Sequence, residues 1–502
     1  MSLSPYKQLE LEWKRLHALR GALSLLRWDA AVMMPRGSAA GRGEQLAALE
    51  TECHVLLTSP KLSRLLERAA AGQGSLDDWE LANLREMRRQ RDRAFAVPVS
   101  LISRLARTTT QAESAWLEAR RQNRFDVFVP HLEAVLGLVR DKAALLGQAL
   151  ALDPYDALID EWSPGVTTAL IDSLSKAYAR RLPGLVREVI AAQAASPAIT
   201  LEGKFTPSRQ RALVTEVLRA VGFPFDRGRL DEASHAFTEG FSGDIRITMC
   251  IDARDPFASL LVALHEAGHA LYDLGLPERW LDQPVGQARG MALEESQSLL
   301  LEMLIGRSQP FVRYLQPLLV KHFGVSGPAW AEDNLYRVLT RVARGAVRVD
   351  ADELTYPLHV MLRTDLERRL LDGRLAVRHL RDAWNAEMKA RLDVEPNDDT
   401  QGVLQDAHWA DAAFGYFPLY MVGAAIAAQL AEGLRRDVPE LDAQIARGDF
   451  QGLLGWLRSG VHGQGARLSL QDLVREATGR PLGAAAALRH LETKYLGAAV
   501  TS

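Results

Sequence analysis

Residues 261–277, LVALHEAGHALYDLGLP, decide how this chain is read. Leu, Val and Ala recur there at three- and four-residue spacing, the pattern of a helix with a continuous apolar face. Set into that helix are His265, Glu266 and His269. At about 100° per residue the two histidines lie within roughly 40° of each other, one turn apart, so both imidazoles can reach one ion. Glu266, offset from His265 by about 100°, can address a water on that ion without ligating the ion itself. Gly268 leaves room for another backbone or a substrate to approach. Two imidazoles and a carboxylate buried without a partner are costly, and a metal ion removes that cost. The alternative is a pair of structural histidines, because the five-residue pattern arises by chance in about one such chain in a hundred.

Catalytic zinc usually takes three protein ligands and keeps one position for water, so a third ligand is required. It is sought in GMALEESQSLLLEMLIGRS, residues 290–308, where Glu294 and Glu295 open a second helical stretch with an apolar remainder. The intervening GLPERWLDQPVG is long enough for a loop and a returning helix.

Away from this pair, helical spacing recurs in LELEWKRLHAL, LANLREMRRQ, LEAVLGLVRDKAALLGQAL, LVTEVLRAVG and LHVMLRTDLERRLL. The fold class is all-α, with one exception: GDIRITMCID (243–252) alternates and is β-branched, which predicts a small β-sheet just before the histidine helix. Thr206 followed by Pro207 predicts a helix start, and Gly222-Phe223 its end. AAQAASPAIT (191–200) reads as a loop, and YFPLYMVGAAIAAQL (416–430), shorter than a bilayer needs, as a buried helix. No tandem repeat or long linker divides the chain, so residues 1–502 read as a single domain, with two lobes around a cleft as its natural form.

The composition narrows the partners. Sixty Lys and Arg against 63 Asp and Glu give a net charge of −3, which offers nothing to nucleic acid or an acidic membrane. Two cysteines, Cys53 and Cys250, fit a reducing, cytoplasmic compartment, and the N-terminus lacks the apolar core of a secretory signal.

With these residues placed, the sequence resembles the carboxypeptidase Taq family of metallocarboxypeptidases. The family's H-P-F stands here as HAF (235–237), its D-x-R-x-T as DIRIT (244–248), and its H-E-x-x-H as HEAGH (265–269). Its H-E-S-Q stands as EESQ (294–297), its I-R-x-x-A-D as VRVDAD (347–352), and its G-x-x-Q-D-x-H-W as GVLQDAHW (402–409), followed by FGYFP. The resemblance implies a zinc-peptidase-like helical fold with a deep groove, a homodimer, and release of C-terminal residues from peptides with broad tolerance. It implies that His265, His269 and Glu295 hold Zn²⁺, or Co²⁺ or Mn²⁺ in its place, and that Glu266 is the base. Two positions depart from the pattern: Ala236 replaces a proline, and Glu294 replaces the histidine before the ligand, adding a carboxylate beside the metal position.

An exopeptidase must find the chain end, and a guanidinium binds a carboxylate through two parallel hydrogen bonds. Arg246 and Arg348 are the candidates, each with an ion pair as its alternative: Arg246 with Asp244, Arg348 with Asp350 or Asp352. His408 and Tyr416 are candidate donors to the oxyanion, or buried aromatic residues satisfied by backbone. His235 lines the groove or belongs to the core. His17, His54, His131 and His490 show no partner pattern and read as surface or packing residues. The rival readings are an oligopeptidase that cuts internally and a peptide-binding protein that has lost turnover.

Overall fold

A computed structural model describes residues 3–233, 235–241 and 243–497, without the side chain of Arg36. Helices account for nearly all regular structure among the described residues, as the spacing predicts. The histidine helix spans Ala258–Leu274 and stops at Gly275. The glutamate helix spans Met291–Leu299 and widens into a π-helix over Leu300–Ile305. Both lie in the main apolar core, with Leu260, Ala263, Leu264, Leu293 and Leu300 buried in it. The first helix, Pro5–Val32, and helices up to Ala96 close a second apolar cluster of their own around Leu9, Trp13, Leu62 and Met87.

The expected strand is present as β3, Asp244–Met249, shorter at both ends than the alternating stretch. It is central in a three-stranded sheet: β1, Gly228–Glu232, runs parallel to it and β2, Thr238–Phe241, antiparallel. Those two strands carry Gly, Arg, Asp and Glu and have no alternation of their own, so periodicity does not reveal them.

The helix after Thr206 spans Pro207–Ala220, and Gly222 turns out of it at φ +89°. Thr206 takes the N-cap position, but its hydroxyl faces Ser208 Oγ at 3.3 Å rather than a backbone N–H. The stretch 191–200 is a loop only from Ser196 on: its alanines extend the helix Thr168–Ala195, and the chain leaves the helix just before Pro197. The run 416–430 is the first part of a longer helix, Phe417–Asp437. That helix is long and apolar enough to cross a bilayer, yet 83% of its most apolar window is buried, and it packs on the glutamate helix.

Glycine sets how closely these helices approach. A Cβ on Gly268 would lie 2.4 Å from Ser298 Cα and 2.5 Å from the Gln297 carbonyl, so the histidine and glutamate helices meet backbone to backbone. From the opposite side, a Cβ on Gly423 would lie 2.9 Å from Cβ and Cγ of Glu295. The glutamate helix is therefore held between two smooth faces, with Glu295 at the contact.

Candidate active site

His265 and His269 project from one face of their helix, ring centroids 5.1 Å apart. Their Nε2 atoms lie 4.0 and 3.9 Å from a single atom, Glu295 Oε2. These separations are too long for hydrogen bonds. They suit three donors facing one point, and the three ligand atoms all lie within 4.8 Å of one another. Two ligands of a tetrahedral zinc stand about 3.4 Å apart, so each histidine nitrogen closes on Glu295 by roughly half an ångström to reach that spacing. Among the described residues no second group of this kind occurs. Of the two adjacent carboxylates, the structure brings Glu295 to the histidines and leaves Glu294 outside the group.

The surroundings prepare these atoms for a cation. His265 Nδ1 lies 3.0 Å from Glu302 Oε2, and Arg307 Nη2 donates to Glu302 Oε1 at 2.9 Å. A proton kept on Nδ1 by that carboxylate leaves Nε2, which faces Glu295, as the nitrogen that gives up its proton when an ion binds. Burial alone would depress His265, but the hydrogen bond to Glu302 and the charges of Glu295, Glu302 and Glu266 outweigh it and raise the imidazole to about 10. A negative field strong enough to hold a proton on that ring favours a divalent ion at the same place. Burial, then the charge on His265, pushes His269 down to about 3, so its lone pair is free at neutral pH. Burial pushes the Glu295 carboxyl up to about 7. Two imidazoles and a carboxylate, shielded and backed by a hydrogen-bonded acid, fit a divalent ion of borderline softness.

Glu266 is buried beside this group, and burial raises its carboxyl above the usual range. Thr238 Oγ1, on β2, donates to Glu266 Oε2 at 2.6 Å.

Near Glu295 is a cluster of aromatic and charged residues. Arg348, 7% exposed, donates from Nε and Nη2 to Asp406 Oδ1 at 3.0 and 2.8 Å, and from Nη1 to the Tyr356 hydroxyl at 3.3 Å. Neither Asp350 nor Asp352 holds it, since Asp352 accepts instead from the backbone N–H groups of Ala343, Leu354 and Thr355. Arg363 Nε donates to the other oxygen of Asp406 at 2.6 Å. The Arg348 charge reaches Glu295. The Tyr416 hydroxyl donates to Met291 Sδ at 3.4 Å, and burial with the Tyr420 and Glu295 charges keeps its phenol far above its ordinary value. His408 packs on Phe417 at 4.4 Å, places Nε2 3.4 Å from the Tyr420 hydroxyl, and is pushed down to about 4 by burial, so it is neutral.

The two other expected groove residues have settings of their own. Arg246 closes on Asp244 with Nε and Nη2 at 2.9 and 2.7 Å and lies over the Trp28 ring at 4.2 Å, the ion-pair alternative. His235 is exposed between β1 and β2. His490 is not a lone packing residue: its Nε2 meets Glu353 Oε1 at 2.7 Å, a partner 137 positions away that no local pattern announces.

A profile of the carboxypeptidase Taq (M32) metallopeptidase family matches residues 8–495. Thermostable carboxypeptidase 1 of Thermus thermophilus is 35% identical over 500 residues, covering 97% of each chain. The chain belongs to this family. Among solved structures, Trypanosoma cruzi metallocarboxypeptidase 1 superposes with a TM-score of 0.96 at 38% identity, over 98% of this chain and 100% of that one. The M32 carboxypeptidase of Deinococcus radiodurans R1 gives 0.93 at 35%, over 98% and 99%.

In this metallocarboxypeptidase the two departures from the motifs have visible settings. Ala236 stands where the family has proline, and Thr248 fixes the adjoining turn: its Oγ1 accepts from Phe237 N at 2.8 Å and its N–H donates to the Phe237 carbonyl at 3.0 Å. Burial raises Glu294 to about 7, and its charge acts on Asp273 and Tyr272.

Proposed function

We propose that this protein holds a divalent ion, Zn²⁺ first and Co²⁺ or Mn²⁺ as substitutes, on His265, His269 and Glu295, and releases C-terminal residues from peptides with broad tolerance. The observation that carries the reading is the approach of three donor atoms from two helices to one point beside a buried carboxylate that is not one of them. A bound ion supplies a Lewis acid that polarises a carbonyl and acidifies water near neutral pH. Glu266 takes the proton of the attacking water and gives it to the departing amine. Its burial, which disfavours the charged form, suits a group that must both accept and release a proton.

Arg348 is the reader of the free C-terminus. It and Arg363 share the single carboxylate of Asp406, so the cluster carries an excess positive charge in a buried place. A substrate carboxylate balances that charge, and two of the five guanidinium N–H groups have no partner in Asp406 or Tyr356. Arg246, already closed on Asp244, is left out of this role, and His235 is given none. Tyr416, kept protonated, donates to the oxyanion, and His408 supports Tyr420 beside it. We also place the enzyme in the cytoplasm as a single-domain homodimer, on the family resemblance and on its two free thiols.

The test is metal analysis with an assay on an N-blocked dipeptide. Glu266→Gln is expected to retain metal and lose about 10²–10⁴-fold in kcat. Unchanged turnover removes Glu266 as base. Equal hydrolysis of free-acid and amidated peptides favours the oligopeptidase reading, and bound metal with no release favours the binding protein.

A further inference from the structure

We propose that Thr238 is a positioning residue for the reaction, its hydroxyl occupying one carboxylate oxygen of Glu266 so that the other faces the substrate. This rests on the reading of Glu266 as the base.

Thr238 Oγ1 lies 2.6 Å from Glu266 Oε2 and 3.0 Å from the Glu266 carbonyl oxygen. One hydroxyl hydrogen cannot serve both acceptors fully. The shorter distance is that of a charge-assisted O–H bond to a carboxylate, about twice as strong as a neutral one. The carbonyl is also an acceptor within its own helix, where the N–H four residues on points to it. The hydrogen therefore belongs to Oε2. Among the described residues no other hydrogen bond reaches the Glu266 side chain, and the terminal torsion of a glutamate is broad and poorly self-limiting. Thr238 is thus the anchor that selects one orientation of the carboxylate, and it leaves Oε1 as the oxygen that takes the water proton and returns it to the leaving nitrogen.

The anchor itself is fixed. Thr238 opens β2 and pairs opposite Ile247 of β3. Phe237 before it is bonded on both sides by Thr248. Two residues on, the Gly240 carbonyl accepts from Ser24 Oγ at 2.9 Å, which ties β2 to the first helix. A Cβ on Gly240 would lie 2.6 Å from Ile245 Cδ1, so the strand packs tightly on β3. This gives the small sheet in a helical protein a purpose: it delivers a hydroxyl to the base from a strand bonded to β3 and to the first helix.

The hydroxyl and the methyl of Thr238 can be tested apart. Thr238→Val keeps the branched shape and loses the hydrogen bond; Thr238→Ser keeps the bond and loses the methyl. We expect kcat on an N-blocked dipeptide to fall about 10- to 100-fold in Thr238→Val, with KM within about two-fold, and to recover most of its value in Thr238→Ser. Metal affinity, read by chelator competition, is expected to stay within about two-fold in both. A packing role predicts the reverse order, and Thr238→Ser as impaired as Thr238→Val overturns the proposal. So does a Thr238→Val enzyme with unchanged kcat, or one whose loss lies in metal affinity. Thermal unfolding checks that the variants fold, and if Thr238→Val does not, Thr238→Ala carries the same expectation for kcat. Active Glu266→Gln overturns the base assignment and this proposal with it, whereas inactive Glu266→Gln beside fully active Thr238→Val overturns the proposal alone.

Discussion

Gly268→Ala adds one methyl group at the contact on which the site's geometry depends. The new Cβ would stand 2.4 Å from Ser298 Cα and 2.5 Å from the Gln297 carbonyl oxygen. Optimal carbon contacts are about 3.5–4.0 Å, and both neighbours are backbone atoms that cannot rotate away, so the helices must part by about 1 Å. Gln297 and Ser298 lie two and three residues after Glu295 on the same helix and carry the carboxylate with them. The gap from Glu295 Oε2 to the histidine Nε2 atoms, now 4.0 and 3.9 Å, opens to about 5 Å, against about 3.4 Å in a tetrahedral site. Closing it against overpacking costs about 1–3 kcal/mol. Metal affinity therefore drops about 5- to 150-fold. The better helix propensity of alanine acts in the opposite direction by about 1 kcal/mol on stability, so the unfolding midpoint changes little beside the change in affinity. Competition with a chromophoric chelator measures the affinity, and kcat is then read at saturating metal. Gly137→Ala is the control: it lies exposed within the helix Phe125–Leu150 with nothing within 4 Å of the added methyl, and it is expected to stabilise by about 0.5–1 kcal/mol and leave metal binding alone. A Gly268→Ala protein that binds metal as tightly as wild type refutes the reasoning.

Two further outcomes are expected. Arg348→Ala should lower kcat/KM for free-acid dipeptides at least about 30-fold, the low end for breaking a buried charge pair, with a much smaller effect on the corresponding amides; an equal loss on both removes Arg348 as the reader of the chain end. Burial holds His359 and His462 at about 3 and His408 at about 4. The unfolded chain binds protons at these positions below about pH 6.5, so their contribution to stability is complete above that pH and is lost toward pH 4 at up to about 1.4 kcal/mol per unit for each histidine. His462→Gln is expected to flatten the acid decline of the thermal midpoint by one histidine's share, and an identical pH dependence contradicts this.

Residues whose role follows from local spacing were legible in the sequence. His265, Glu266 and His269 declare themselves because one helical turn separates the imidazoles, and the pair Glu294 and Glu295 follows once a third ligand is required. Spacing could not choose between Glu294 and Glu295; the family register did, and the structure agrees on placement. Glu302 was invisible for a different reason: it lies in an apolar stretch that becomes a π-helix, and only the folded backbone shows that it meets His265. The motif marks Arg348, but its ion-pair partner is neither Asp350 nor Asp352, the acids nearby in sequence, because Asp406 lies 58 positions further on and arrives by tertiary packing. Thr238 belongs to a strand too short and too polar for its periodicity to register. The sequence marks Gly268 as a place of close approach, and the approaching backbone is that of the glutamate helix itself.

The most direct measurement is anomalous diffraction at the zinc edge from crystals of the zinc-loaded protein, which locates the ion without reference to any homologue. We expect one strong peak about 2.0–2.2 Å from His265 Nε2, His269 Nε2 and a Glu295 carboxylate oxygen, with Glu266 outside bonding distance. A peak bound elsewhere, or one that takes Glu294 or Glu266 in place of Glu295, contradicts the account.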